Sequence, residues 1–168
     1  MKIRHWHSQL DIFDTMRRCL AILKNWNTTA PRRDRLFVSD FYLVNPSLLH
    51  LTQMSLEARR AFNALRIPRP DEAFLEYPSP PLLYNKMAGT QTLALQNLVG
   101  RGLCELKLAD KGQYQLTDTG GELAASLGDR LVLAREQDVL RFITNEFATV
   151  GTDKGGLRSA TGLRRIGT

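Results

Sequence analysis

Arginine is the side chain with the widest chemical reach in this sequence, and it comes in runs: Arg32, Arg33 and Arg35, then Arg59, Arg60, Arg66 and Arg69, and near the C-terminal end Arg158, Arg164 and Arg165. A guanidinium is permanently charged, planar and forked, so it matches phosphate or carboxylate in a bidentate way that lysine cannot. Two readings of the runs stay open. They are solvated helix faces, as charge runs usually are, or a surface for DNA backbone or acidic protein. The dominance of arginine over lysine leans toward an interface.

Residues for catalysis or metal binding are scarcer. His5-Trp6-His7 would set two imidazoles on one side of a strand, but zinc needs at least a third protein ligand and only His50 remains among the histidines. Glu72 and Glu76 are four apart, yet they lie among prolines where helical spacing does not apply. There is no GxxxxGK[ST] loop, no GxGxxG after a strand, no HExxH and no GxSxG. Cys19 and Cys104 are too far apart for a CxxC site and read as buried thiols. The expectation is a non-enzymatic protein with no catalytic residue, metal or cofactor.

The 168 residues hold 43% hydrophobic and 24% charged side chains, an ordinary globular composition with room for one packed core. The net charge of +6 is uneven. Residues 1–70 carry twelve Lys or Arg against five Asp or Glu, residues 71–150 seven against eleven, and residues 151–168 four against one. A basic first part and tail flank an acidic centre, which suits two kinds of partner better than a uniform polyanion. No apolar run is long enough for a membrane span, and the first twenty residues lack a signal-peptide core, so a cytoplasmic chain without membrane contact is expected.

The periodicity predicts mainly helix. Leu10, Phe13, Met16, Leu20 and Leu23 share one face of a first helix, with Asp11 and Asp14 at its start. Further helices are expected from Arg33 into Leu43, from Ser47 to Met54, from Ser55 through Leu65, from Leu83 to Val99, from Thr117 through Leu127 and from Arg130 to Ala148. Residues 68–81 hold five of the seven prolines and read as an extended strap pinned by Phe74 and Tyr77. Leu103 to Leu108 alternates apolar and charged residues, Ala109 to Gly112 is a turn, and Gln113 to Leu116 alternates again.

Helix, Gly-Leu, strand, turn, strand and helix is the order of a winged helix-turn-helix. The expected fold is therefore mainly α with a small β-hairpin: one winged-helix-like domain over 1–150, with a helical and proline-rich insertion at about 45–82 and the wing at about 103–117. A basic, Gly-rich tail over 151–168 is either mobile or forms a short helix around Leu157 to Leu163 that docks on a partner. A DNA-reading wing needs cations, and here Lys107 and Lys111 are offset by Glu105, Asp110 and Asp118. Gln91, Gln96 and Asn97 are the residues that would reach base edges. Protein contact is the expected use of the module, with a winged-helix transcriptional regulator as the alternative.

Leu10-Asp11-Ile12-Phe13 with Met16-Arg17, Asp34-Arg35-Leu36 with Ser39-Asp40-Phe41-Tyr42-Leu43, Pro68 ahead of Tyr77-Pro78, Gln91 with Ala94-Leu95, and Gly102-Leu103 together resemble the small middle component of bacterial three-component ABC-ATPase defence systems. Lamassu-type systems belong to that group. The resemblance implies an accessory subunit that joins an SMC or Rad50-like ATPase to an effector, often a nuclease, in protection against phage or plasmids. It carries no catalytic residue with it.

Overall fold

The computed structural model describes residues 8–71, 79–152 and 156–165. Eight α-helices and several 3-10 turns account for most of these residues: α1 (Ile12–Lys24), α2 (Arg33–Val44), α3 (Leu56–Ala64), α4 (Pro80–Gly100), α5 (Leu106–Ala109), α6 (Asp118–Leu127), α7 (Gln137–Thr144) and α8 (Gly156–Thr161). Three starts are fixed by side-chain caps that accept from an otherwise orphaned backbone N–H: Asp11 from Asp14, Ser55 from Ala58 and Thr117 from Gly120.

The long helix α4 lies against α1 and α2, and α7 closes over α2. Between them sits a continuous apolar core built on Ile22, Leu36, Phe41, Phe62, Met87, Leu98, Ile143 and Phe147, all at most 1% exposed. Phe41, Tyr42, Tyr84 and Phe147 meet edge to face, with centroids 5.2–5.6 Å apart. Burial pushes the Tyr42 phenol up to about 12 and the Cys104 thiol to about 12, and both cysteines are free and buried.

The expected hairpin is corrected. Pairing between its arms shrinks to one antiparallel bridge, Cys104 with Leu116, flanked by Glu105 N–H to Gln115 O at 3.0 Å and Thr117 N–H to Leu103 O at 3.1 Å. Beyond that base the chain turns helical as α5, where a strand through Leu108 was expected. The reason is local: Leu106-Lys107-Leu108-Ala109 are good helix formers with no β-branched residue among them. Gly112, at φ +73°, ends the turn in the left-handed region. The returning arm then pairs elsewhere. Arg32 and Gln113 form an antiparallel bridge, Arg33 N–H reaches Gly112 O at 3.1 Å, and Tyr114 N–H reaches Pro31 O at 3.0 Å. This stitches the loop to the start of α2. At its base Gly120 packs so tightly that a Cβ there would lie 2.1 Å from Leu103 O.

Other expectations move as well. Pro80 and Pro81 open α4 instead of belonging to the strap, since a proline in the first helical turn forfeits no hydrogen bond. The strap's Phe74 and Tyr77 lie outside the described residues, as do His5 and His7. Leu20 and Leu23 are buried and Met16 packs against the core, but Phe13 is 71% exposed and Leu10 45%, so the expected face is inward only in its second half. Thr15, Arg18, Cys19 and Ile22 turn inward as well. The expected helix from Arg130 to Ala148 is regular only over α7, between 3-10 turns. Part of the tail packs on the body: Leu157 and Leu163 are buried, and Gln53 N–H donates to Ala160 O at 2.8 Å.

Candidate functional site: a cationic cleft

The stitch between residues 31–33 and 112–114 brings distant basic residues together. An open cleft of about 1020 Å³ runs along it, with Arg32, Arg33, Lys111, Arg158 and Arg165 in its lining and Asp34 as the one carboxylate. Its floor is aromatic. The Arg33 guanidinium lies 5.2 Å from the Phe37 ring centre and donates to Thr92 Oγ1 at 3.0 Å. Arg165 lies 5.4 Å from Phe37 and 3.7 Å from the Tyr84 ring centre. It also donates to the Tyr84 carbonyl and to Gln91 Oε1 at 2.6 Å. Asn85, Thr92 and Gln113 add neutral polar groups to the walls.

None of the five cations makes an ion pair among the described residues. Asp34, whose Oδ1 accepts the Arg35 N–H at 2.8 Å, offsets one of the five charges and leaves the cleft with an excess of positive charge. Burial lowers the pKa of Arg165, and the like charge of Arg33 lowers it further, while Tyr84 and Asp40 act the other way. Arg32, Arg33, Lys111 and Arg158 are exposed, so their charge faces solvent. A concave site of one sign over an apolar floor concentrates positive potential and draws anions.

Beneath the cleft runs a sealed polar chain. Gln91 donates to Asp40 Oδ2 at 2.8 Å and to Phe37 O at 3.0 Å, and Asp40 Oδ1 accepts from Arg18 Nε at 2.6 Å. Arg18 also reaches Asp14 at 2.6 Å and Thr15 Oγ1 at 2.9 Å. Arg18, Asp40 and Gln91 are at most 1% exposed. Burial works to lower the pKa of Arg18, but Asp40 and Asp14 outweigh it and hold the guanidinium charged. Gln91 therefore reads no base edge; it ties α2, α4 and the tail together. A second mainchain-spanning clamp is Arg17, which holds Glu136 through two bonds of 2.8 Å and the Leu131 carbonyl.

The remaining arginines scatter. Arg35 is no surface residue: it is buried, donates to Phe147 O at 3.2 Å and Val150 O at 2.6 Å, and lies over the Phe147 ring. Arg59 is half-buried, donating to the Thr52 carbonyl and stacking on Phe62. Arg60, Arg66, Arg69 and Arg164 are exposed and line no part of this cleft, and Lys107 stands on α5 away from it. A smaller cleft of about 560 Å³ beside Trp26 and Tyr114 mixes Lys24 with Asp118 and Glu122 and has no dominant sign. Sequence reasoning missed Phe37, Tyr84, Asn85, Thr92 and Gln113 as cleft residues, since nothing local marks them. His50 Nε2 lies 2.8 Å from Ile67 O. Among the described residues no group of three or more His, Cys, Asp or Glu is placed to hold a metal ion, and no helix is long and apolar enough to cross a membrane.

Residues 4–166 match the family model of the ABC-three component (ABC-3C) system Middle Component 5. The chain belongs to this family. As an ABC-3C middle component it carries its fold, its sealed polar chain and its cationic cleft within the matched span. No curated protein and no solved structure matches the chain.

Proposed function

We propose that this middle component is a non-enzymatic accessory subunit of a Lamassu-like ABC-3C defence complex in the cytoplasm, connecting an SMC or Rad50-like ATPase to a nuclease-type effector. Membership of the Middle Component 5 family over residues 4–166 is the observation that carries this reading. Two structural facts support it. The central charges are spent on one another, since Arg18 pairs with Asp40 and the Gln91 amide closes over Asp40 where solvent does not reach. The large cleft is lined by five cations against the single carboxylate of Asp34, a charge set suited to contact with an anionic partner. Co-expression with the ATPase of the same system, followed by size exclusion, tests the proposal: a shared peak supports it, and a chain that always elutes alone contradicts it.

A second reading has a specific observation behind it. Between α4 and α6 the chain doubles back at the Cys104–Leu116 bridge, and the turn beyond that bridge carries Lys111 into the cationic cleft, which favours a nucleic-acid-binding regulator. A transcriptional regulator of that kind would be a two-fold dimer on half-sites about one helical turn apart. A monomer with no preferred duplex in light scattering and footprinting would dismiss it.

A further inference from the structure

We infer that the cleft between α2, the 111–113 arm, α4 and the tail seats the phosphate backbone of a single nucleic-acid strand, gripped by Arg32, Arg33, Lys111 and Arg158 with Arg165 fixed beneath them. The inference does not depend on the connector role above, because it is argued from the charge and shape of the cleft alone.

Charge comes first. Five cations meet one carboxylate, and none of the five has an ion-pair partner among the described residues. Charges this close repel, and a bound polyanion would relieve the repulsion. Preorganisation comes second. Arg33 and Arg165 are laid against Phe37, and Arg165 also against Tyr84, so two guanidinium groups are held in place before a ligand arrives and lose little freedom on binding. Those rings are 3–4% exposed beneath the guanidinium groups, so bases do not stack on them and contact falls on phosphate. Sequence tolerance follows.

The shape selects the strand. Arg33 on α2, Lys111 on the arm, and Arg158 and Arg165 on the tail line one concavity. A single strand lying in it is reached from several walls, whereas the convex face of a duplex meets the rim alone. Arginine at four of the five positions supplies forked donors that can hold two oxygens of one phosphate at once.

The test is fluorescence anisotropy of the full chain with a labelled oligo-dT, the corresponding duplex and a labelled oligoglutamate peptide, across about 50 to 200 mM salt. Wild type is expected to bind oligo-dT best, with the log-log salt slope shifting by about 0.7 per phosphate contact. Arg33→Glu with Lys111→Glu is expected to weaken oligo-dT binding about tenfold or more and to flatten that slope. Arg60→Glu with Arg66→Glu, the same charge change outside the cleft, is expected to leave it within about twofold. Arg158→Glu alone, on a different element, repeats the test should the first pair disturb the fold, which circular dichroism reports. The inference is overturned by absent oligo-dT binding at low salt, by an equal loss in the Arg60/Arg66 pair, by duplex binding as tight as the single strand, or by oligoglutamate binding tighter than oligo-dT, which would assign the cleft to an acidic protein.

Discussion

Arg33 and Arg35 stand two residues apart on α2 and serve different ends. Arg35 is buried and donates to the Phe147 and Val150 carbonyls, so its charge is absorbed into the fold. Arg33 is exposed, stacks on Phe37 and shares the cleft with four other cations that have no ion-pair partner among the described residues. The same division separates Arg17 and Arg18, clamped to Glu136, Asp14 and Asp40, from the exposed Arg158, while Arg165 stands between the two, lining the cleft as it donates to the Tyr84 carbonyl and Gln91 Oε1. Residue type alone does not decide whether an arginine builds the structure or serves a ligand. The presence of a fixed internal acceptor does.

The comparison is broken most readily at the buried end. Asp40→Ala removes the buried carboxylate that Arg18 pairs with and strips Gln91 of one acceptor, and is expected to cost about 3–5 kcal/mol in urea unfolding. An unchanged midpoint would show that the sealed chain holds nothing together.

Alkaline pH separates the two regions next. The Cys104 thiol, at about 12 in the folded chain against an ordinary 9.0, and the Tyr42 phenol, at about 12 against 10.0, are held neutral by burial. The folded state therefore binds more protons than the unfolded one above pH ~9, so stability is flat below that and falls as pH rises toward ~12, by on the order of 3 kcal/mol at pH ~11. Urea midpoints across that range check it, and a midpoint that stays level to pH ~11 contradicts the burial argument.

Smaller effects sharpen the contrast on α2 itself. Arg35→Ala orphans two carbonyl contacts and is expected to cost about 1–3 kcal/mol in the same unfolding assay. Arg33→Ala removes an exposed side chain and is expected to stay within about 0.5 kcal/mol of wild type.

Much of the helical framework was legible in the residues, because its signals are local. Asp11, Ser55 and Thr117 announce α1, α3 and α6 by capping chemistry that acts within three residues. What failed did so for stated physical reasons. The alternation from Cys104 to Leu108 is too short to outweigh the helix preference of Leu106 to Ala109, and the returning arm found its partner at Arg32, some eighty residues back. The Leu10 to Leu23 stripe found Leu20 and Leu23 but missed that α1 also turns Thr15 and Arg18 inward, where Arg18 bonds Asp40, Asp14 and Thr15, an arrangement no hydrophobicity pattern encodes. The arginines of the cleft were visible as residues and invisible as a cluster. Arg33, Lys111 and Arg165 meet only through the bridge at Gln113 and the docking of the tail. For the same reason Arg35 passed for a surface residue: its acceptors lie more than a hundred positions away.

The most direct test of the division between structural and ligand-facing arginines measures Arg33→Ala and Arg35→Ala side by side for two properties, the urea midpoint and the salt dependence of oligo-dT binding. The account predicts that Arg33→Ala keeps the midpoint and loses affinity, while Arg35→Ala lowers the midpoint and, where still folded, keeps the affinity. Two variants that move both properties together, or the reverse assignment, would contradict it.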